Sequence, residues 1–223
     1  MMSDKSKNES LYGNTERYMA PSKAAVTRSA ILDAGTHFLE TRPFRDLTVG
    51  ILMAETEYSR ATFYLYFNDL HGLMETLLDE VKGGLAESAR SWLLNEGDAV
   101  SGLQQSLKGI IDVSYDHGPI LKAVADAAAS DARLEHVWET FVGSFDELVS
   151  ARIAQDQAEG VTPEFDPFPV AQALNRMDAA ILIHAFGTSQ KADKQDVLAA
   201  LTQIWVSTLY PFDAGTLIGR VTP

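Results

Sequence analysis

Tyr58-Ser59-Arg60-Ala61-Thr62-Phe63-Tyr64-Leu65-Tyr66-Phe67 is the stretch that decides how this chain is read. It reads as one short helix, stopped by Asn68 and Asp69. A three-residue break, Glu55-Thr56-Glu57, precedes it. Before the break, Val49-Gly50-Ile51-Leu52-Met53-Ala54 reads as a second short helix with Thr48 at its N-cap. Short helix, tight turn and short helix is helix-turn-helix geometry. Val49, Leu52, Met53, Phe63 and Phe67 can anchor the pair on flanking helices. That leaves Ser59, Arg60, Thr62, Tyr64 and Tyr66 for solvent or for a groove. Arg60, near a helix N-terminus, suits guanine O6 and N7, and Ser59 and Thr62 suit base edges or phosphates. Thr48, Tyr64 and Tyr66 offer hydroxyls to phosphate oxygens. An i, i+2 spacing cannot bury both tyrosines on one helical face.

Outward from this pair the pattern stays helical. Upstream, Ile31, Ala34, Gly35, Phe38 and Leu39 share one face of a helix that begins near Ser22 and ends before Pro43. Residues 1–21 are polar and aperiodic, and are expected to form a disordered arm carrying Lys5, Lys7 and Arg17. Downstream, Asp69 can cap a helix over 70–94. Further helices are expected over 99–117, 119–129, 131–159, 168–187 and 193–210. The breaks fall at Gly97-Asp98, Gly118-Pro119, the Pro-rich loop 162–167 and Gly187-Thr188-Ser189. No segment alternates as a strand would. The expected architecture is all-α. A disordered arm (1–21) precedes a helix-turn-helix domain (22–68), a larger ligand-binding and dimerisation domain (69–211) and a tail (212–223).

Composition narrows the class. The chain has 223 residues, 46% hydrophobic, with no cysteine, so disulfides, thiol catalysis and Cys-zinc sites are excluded. No apolar run approaches the ~20 residues of a membrane span, and the first residues do not resemble a secretory signal. A cytoplasmic protein without membrane contact is expected. The net charge of −13 disfavours a polyanion partner, but it is unevenly spread: −3 over residues 1–90 and −10 over 91–223. A small reading head can still contact phosphates while the body stays anionic.

The C-terminal half carries apolar stripes. Leu134, Trp138, Phe141, Phe145 and Leu148 share one, beside Val137, Val142 and Val149. Leu174, Met177, Ile181 and His184 form one face of the next helix, and Asn175, Asp178, Leu182 and Phe186 another. The last helix is apolar over most of its circumference. Helices apolar all round must be buried, and pairing 168–187 and 193–210 with a second copy as a four-helix bundle achieves this. Asn175 and Asp178 on an otherwise apolar face need partners, which a ligand or pocket water could supply. The five histidines form no ligand motif. Glu135, His136 and Glu139, or Asp112, Asp116 and His117, could gather a metal, but solvated helix charge is the simpler account. No phosphate loop or nucleophile elbow occurs, so no metal, cofactor or catalytic residue is expected.

Residues 28–78 resemble the DNA-binding domain of the TetR family of repressors. The likeness is carried by Tyr58 to Phe67, by Ile31-Leu32-Asp33-Ala34-Gly35-Thr36-His37-Phe38-Leu39 and by Phe44-Arg45-Asp46-Leu47-Thr48-Val49. Two positions depart from the family's habit. Glu57 stands where Gly usually fills the turn, at a cost of about 1 kcal/mol if the backbone there is left-handed. Leu70 stands where a Lys usually meets a phosphate. The C-terminal half resembles the EthR-like branch at Trp138-Glu139-Thr140-Phe141, at Ala173 to Asp178 and at Ile204 to Tyr210. That resemblance implies a long apolar tunnel with an Asn as polar handle, lined by Trp138, Phe141, Val142, Phe145, Asn175, Asp178, Phe186 and Trp205. Where the branch has further aromatics on the fifth helix, this chain has Gln104 and Ile111.

The implied function is a homodimeric repressor that binds operator DNA and is released by a small hydrophobic or amphipathic effector. Two alternatives stay open. One is a helical hydrophobe-binding protein that no longer reads DNA. The other is a cofactor-independent enzyme using Asp178 or His184 as base.

Overall fold

The computed structural model describes residues 22–95 and 97–211. Among these the chain forms eight helices and no strand: α1 (Lys23–Leu39), α2 (Val49–Ala54), α3 (Arg60–Phe63), α4 (Leu70–Leu93), α5 (Ala99–Ala128), α6 (Ala132–Ala158), α7 (Pro167–Phe186) and α8 (Lys194–Leu209). The arm over 1–21 and the tail over 212–223 lie outside the described residues. All eight helices open on a Ser, Thr or Asp whose side chain accepts a backbone N–H of the first turn. Each such cap stabilises its helix by about 1 kcal/mol, so the helix starts are written locally.

Two expectations about the helix read over Tyr58–Phe67 are corrected. It spans only Arg60–Phe63, because Ser59 Oγ accepts the Thr62 N–H at 3.2 Å and so sets the start two residues further on. After Phe63 the bonds tighten: Leu65 N–H donates to Thr62 O and Tyr66 N–H to Phe63 O. The turn is correspondingly longer, and Thr56 organises it. The Thr56 hydroxyl donates to Met53 O and accepts from Tyr58 N–H. Glu57 is therefore not left-handed; the only described non-glycine residue with positive φ is Asn95. The anticipated strain at Glu57 is absent.

The break expected at Gly118-Pro119 is also absent, since α5 runs unbroken through both. A helical proline leaves the carbonyl four residues earlier without its donor. Here that carbonyl is Tyr115 O, and the Lys191 ammonium donates to it from the α7–α8 connection. Lys191 Nζ also lies 4.3 Å from the centre of the Tyr115 ring. Gly118 serves close packing: a Cβ there would stand 2.3 Å from Phe186 O.

Two cores fill the molecule. The first joins α1–α3 to the N-terminal part of α4, the C-terminal part of α5 and the start of α6, through residues such as Ile31, Phe38, Leu52, Phe63, Leu73, Leu77, Val124 and Leu134. The second joins the ends of α4 and α5 nearest Gly97 to α6, α7 and α8 through Trp92, Leu103, Leu107, Ile153, Leu201 and Trp205. Helix α4 belongs to both. Its most extensive contact is with α5, and the two backbones close up near the middle of α4. A Cβ on Gly84 would lie 3.3 Å from Val113 Cγ1, and one on Gly109 would lie 2.8 Å from Ser88 Cβ.

Candidate functional site

The head presents its polar residues outward. Thr48 Oγ1 accepts from Ile51 N–H at 3.1 Å, and Ser59 Oγ lies 3.0 Å from Thr62 Oγ1. Thr48, Ser59 and Arg60 are exposed, and Thr62 is half-buried. The Arg60 guanidinium folds back against Gly50, where a Cβ would stand 2.5 Å from its Nη2. The aromatic pair divides as the spacing requires. Tyr64 is 59% exposed, whereas Tyr66 is half-buried against the first core. Sequence reasoning passed over Leu65, which is 79% exposed between them, and Arg45, exposed just before Thr48. Neither belongs to a helical stripe, so periodicity offered no signal. Leu70, in place of the family's lysine, packs against the first core.

In the body, α4, α5, α6, α7 and α8 enclose a narrow apolar cavity of about 90 Å³. Trp138, Phe141, Val142 and Phe145 of α6 line it, with Asn175 and Asp178 of α7 and Trp205 of α8. Phe186 does not. It is wholly buried beyond the cavity, edge-on to Tyr115 at 5.4 Å. The α5 wall is formed by Leu103, Ser106, Leu107, Ile110 and Ser114. Neither Gln104 nor Ile111 takes part, and Gln104 is exposed. Sequence reading missed the fifth wall, Leu85, Ala89, Trp92 and Leu93, because α4 reads simply as an amphipathic connector. His184 is exposed on the opposite side of α7, so it shares no chamber with Asp178.

The polar groups around the cavity are unequally satisfied. Asn175 Nδ2 donates to Asp146 Oδ1 at 2.9 Å, and Arg176 Nη1 donates to Asp146 Oδ2 at 2.9 Å. Asp146 is thus a fully partnered buried carboxylate, and the Asn175 amide nitrogen is turned toward it. Asp178 Oδ1 accepts only the Trp205 indole N–H, at 3.0 Å. Burial pushes the Asp178 carboxyl up to about 7, and the Trp205 hydrogen bond only partly opposes this. Ser106 Oγ and Ser114 Oγ are buried with no partner among the described residues.

Below the cavity a second polar cluster closes the body. Trp205 meets Trp92 edge-on at 5.6 Å. Trp92 Nε1–H donates to the Tyr210 hydroxyl at 2.9 Å, and that hydroxyl donates to Asp156 Oδ2 at 2.6 Å. Arg152 donates to Trp92 O, lies over the Trp92 ring and stands 2.9 Å from Asp156 Oδ1. The last approach lacks hydrogen-bond alignment, since Arg152 Nη2 and Nε have no hydrogen-bond partner, so it is an ion pair. Among the described residues no three His, Asp or Glu side chains gather as a metal site. Asp112 instead bridges Lys108 at 2.7 Å and Lys194 at 2.8 Å. No described helix is long and apolar enough to cross a membrane.

This arrangement has close parallels. Residues 103–211 match the family described as "Transcriptional regulator EthR, C-terminal domain". The HTH-type transcriptional regulator EthR of Mycobacterium tuberculosis (strain H37Rv) is 29% identical over 187 residues, which cover 81% of this chain and 86% of that one. Among solved structures, a regulatory protein of the TetR family from Rhodococcus RHA1 superposes with a TM-score of 0.69 at 13% identity, covering 86% of this chain and 100% of that one. AibR, solved with isovaleryl coenzyme A and operator DNA, superposes at 0.63 with 12% identity, covering 82% and 98%. With its N-terminal helix-turn-helix and C-terminal helical body, the chain resembles EthR-like transcriptional regulators of the TetR family over most of its length.

Proposed function

We propose that this regulator is a homodimeric repressor that a small hydrophobic or amphipathic effector releases from operator DNA. The observation that carries the reading is the sharing of α4. Its first turns pack into the core beneath the helix-turn-helix, and its last turns wall the cavity. On this reading residues 22–68 form the reading head and 69–211 the effector and dimerisation body. Thr48, Ser59, Arg60, Thr62, Tyr64 and Tyr66 meet DNA. The cavity is too small for a drug-sized ligand, which needs ~300 Å³ or more, so entry must part the helices around it. A parted wall moves α4, and in a dimer that changes the spacing of two heads that must meet successive major grooves ~34 Å apart.

The dimer rests on the outer faces of α7 and α8, where Ile204 is 36% exposed and Ala180, Ile181 and His184 edge an open groove. Ile181→Arg or Ile204→Arg is expected to give monomers in sedimentation; a stable wild-type monomer at micromolar concentration overturns the assembly. AibR, bound to an acyl coenzyme A and to operator DNA, supports an effector role for the body. The test is to select bound duplexes from a random DNA pool and to titrate amphiphiles against the complex. A compound that binds the body tightly yet leaves DNA affinity unchanged would falsify the switch. AibR's DNA complex and the exposed polar residues of the head favour this reading over a hydrophobe carrier without DNA binding.

A further inference from the structure

We propose that the cavity, on its reading as the effector site, is built for an amphiphile with a cationic amine head, which Asp178 receives. Among the described residues the walls hold no Lys, Arg or His, and Asp178 is their one ionisable residue. Its Oδ1 takes the Trp205 N–H, while Oδ2 has no hydrogen-bond partner among the described residues. The nearby guanidinium of Arg176 is committed elsewhere, to Asp146 at 2.9 Å and Glu139 at 3.4 Å.

Apart from the Trp138 indole N–H, which only donates, every other open polar atom in the walls can accept. The Ser106 and Ser114 hydroxyls are buried without partners. With its nitrogen turned to Asp146, Asn175 offers its carbonyl oxygen. An ammonium group has three donors and no acceptor, which suits this set. The Trp138 and Phe141 rings, stacked with centroids 5.5 Å apart, and Phe145, edge-on to Phe141, provide faces for an alkyl body or for the cation.

The competing head groups fit worse. A carboxylate or phosphate would meet Asp178 with no cation in the walls to neutralise it, and two like charges cannot both ionise at close range in such a site. An alcohol or ester would leave the burial of Asp178 uncompensated, whereas buried charges are normally paired. The high proton affinity of Asp178 reflects that missing partner. An ammonium beside it restores the charged form.

The experiment compares octylamine, octanol and octanoate on the full-length protein by calorimetry. It is run at about pH 8, where the amine is protonated, and at about 0.15 M salt to screen the acidic surface. Octylamine is expected to bind wild type about tenfold or more tighter than octanol, the scale of one charge-assisted hydrogen bond, with octanoate weakest. Octanol should compete with it for the same site. Asp178→Asn, which keeps an acceptor for Trp205, should bring the amine-to-alcohol ratio to about one and leave octanol affinity in place. Equal affinities on wild type, or an unchanged ratio in Asp178→Asn, overturn the head-group assignment while the cavity stands as an effector site. If none of the three binds, the effector reading itself falls. The wild-type ratio decides the matter even if the variant does not fold.

Discussion

The reading head and the body handle polar residues in opposite ways. In the head Thr27 is the only buried polar or charged residue among those described; Ser106, Ser114, Asp146, Arg152, Asp156, Thr162 and Asp178 all lie in the body. A surface that meets a charged polymer can keep its donors in water until contact, and on that reading the head buries almost only apolar side chains. The body's cavity, on its reading as an effector site, carries polar groups inside, where each unpaired one costs free energy. Within the body a second contrast appears. Asp146 and Asp156 have their partners, and Asp178 is left one short. Among the buried carboxylates, those with complete shells hold the structure, and the incomplete one marks where something else belongs.

Removing a completed partner should therefore have the largest effect. Arg152→Ala strips the ion pair from Asp156 and the donor from Trp92 O, and is expected to lower stability by about 3–5 kcal/mol in urea unfolding. A loss under about 1 kcal/mol would mean that the cluster is not a structural keystone.

Asp178 should behave in the reverse sense. Unfolded, its carboxyl ionises near 3.8; folded, it keeps its proton to about 7. Between those values the folded chain binds the extra proton, so this group makes stability fall as pH rises from 3.8 to about 7, and adds no slope above. Asp178→Asn lacks that slope. It should gain on wild type across the window, by about 2–4 kcal/mol at neutral pH and above. Parallel stability curves for the two proteins would remove Asp178 as the incomplete group.

Head substitutions should leave folding nearly untouched. Arg60→Ala is expected to cost about 1–3 kcal/mol on a selected operator and to relax one base pair per half-site, with thermal unfolding unchanged. Tyr64→Phe should weaken binding less and keep the sequence preference, as loss of a phosphate contact does. Smallest of all is Gly50→Ala. The new methyl displaces only the mobile end of Arg60, so stability should rise by no more than about 1 kcal/mol. A loss instead of a gain would show that Arg60 is held against α2 rather than resting there.

The comparison also explains what could be read from the chain alone. Helix starts were legible because Ser, Thr and Asp caps act within three residues. The anchors Phe63 and Phe67 were legible because periodicity encodes them, and so were Trp138, Phe141 and Asn175 through their shared patterns. Long-range partners were not. Pro119 reads as a stop until Lys191 is seen to serve Tyr115 O from 76 residues away. The resemblance places Phe186 in the cavity wall, and it continues the Asn175, Asp178, Leu182 face, but the cavity ends before that face does. The contribution of Trp92 was hidden because a connector helix and a chamber wall share one amphipathic pattern.

The close approach of Gly84 to Val113 and of Gly109 to Ser88 gives α4 the character of a beam resting on a fulcrum. From Gly84 to Leu70 the helix extends about 21 Å, and from Gly84 to Trp92 about 12 Å. A rigid beam tilted about that point by a 1 Å push at Trp92 carries Leu70 about 1.7 Å the opposite way. Two protomers related by a twofold axis would each contribute such a swing, so the spacing of the heads would respond to more than the sum of the two pushes. Filling that crossing with larger side chains would shift the balance point, and with it the mechanical gain between the proposed effector cavity and the reading head.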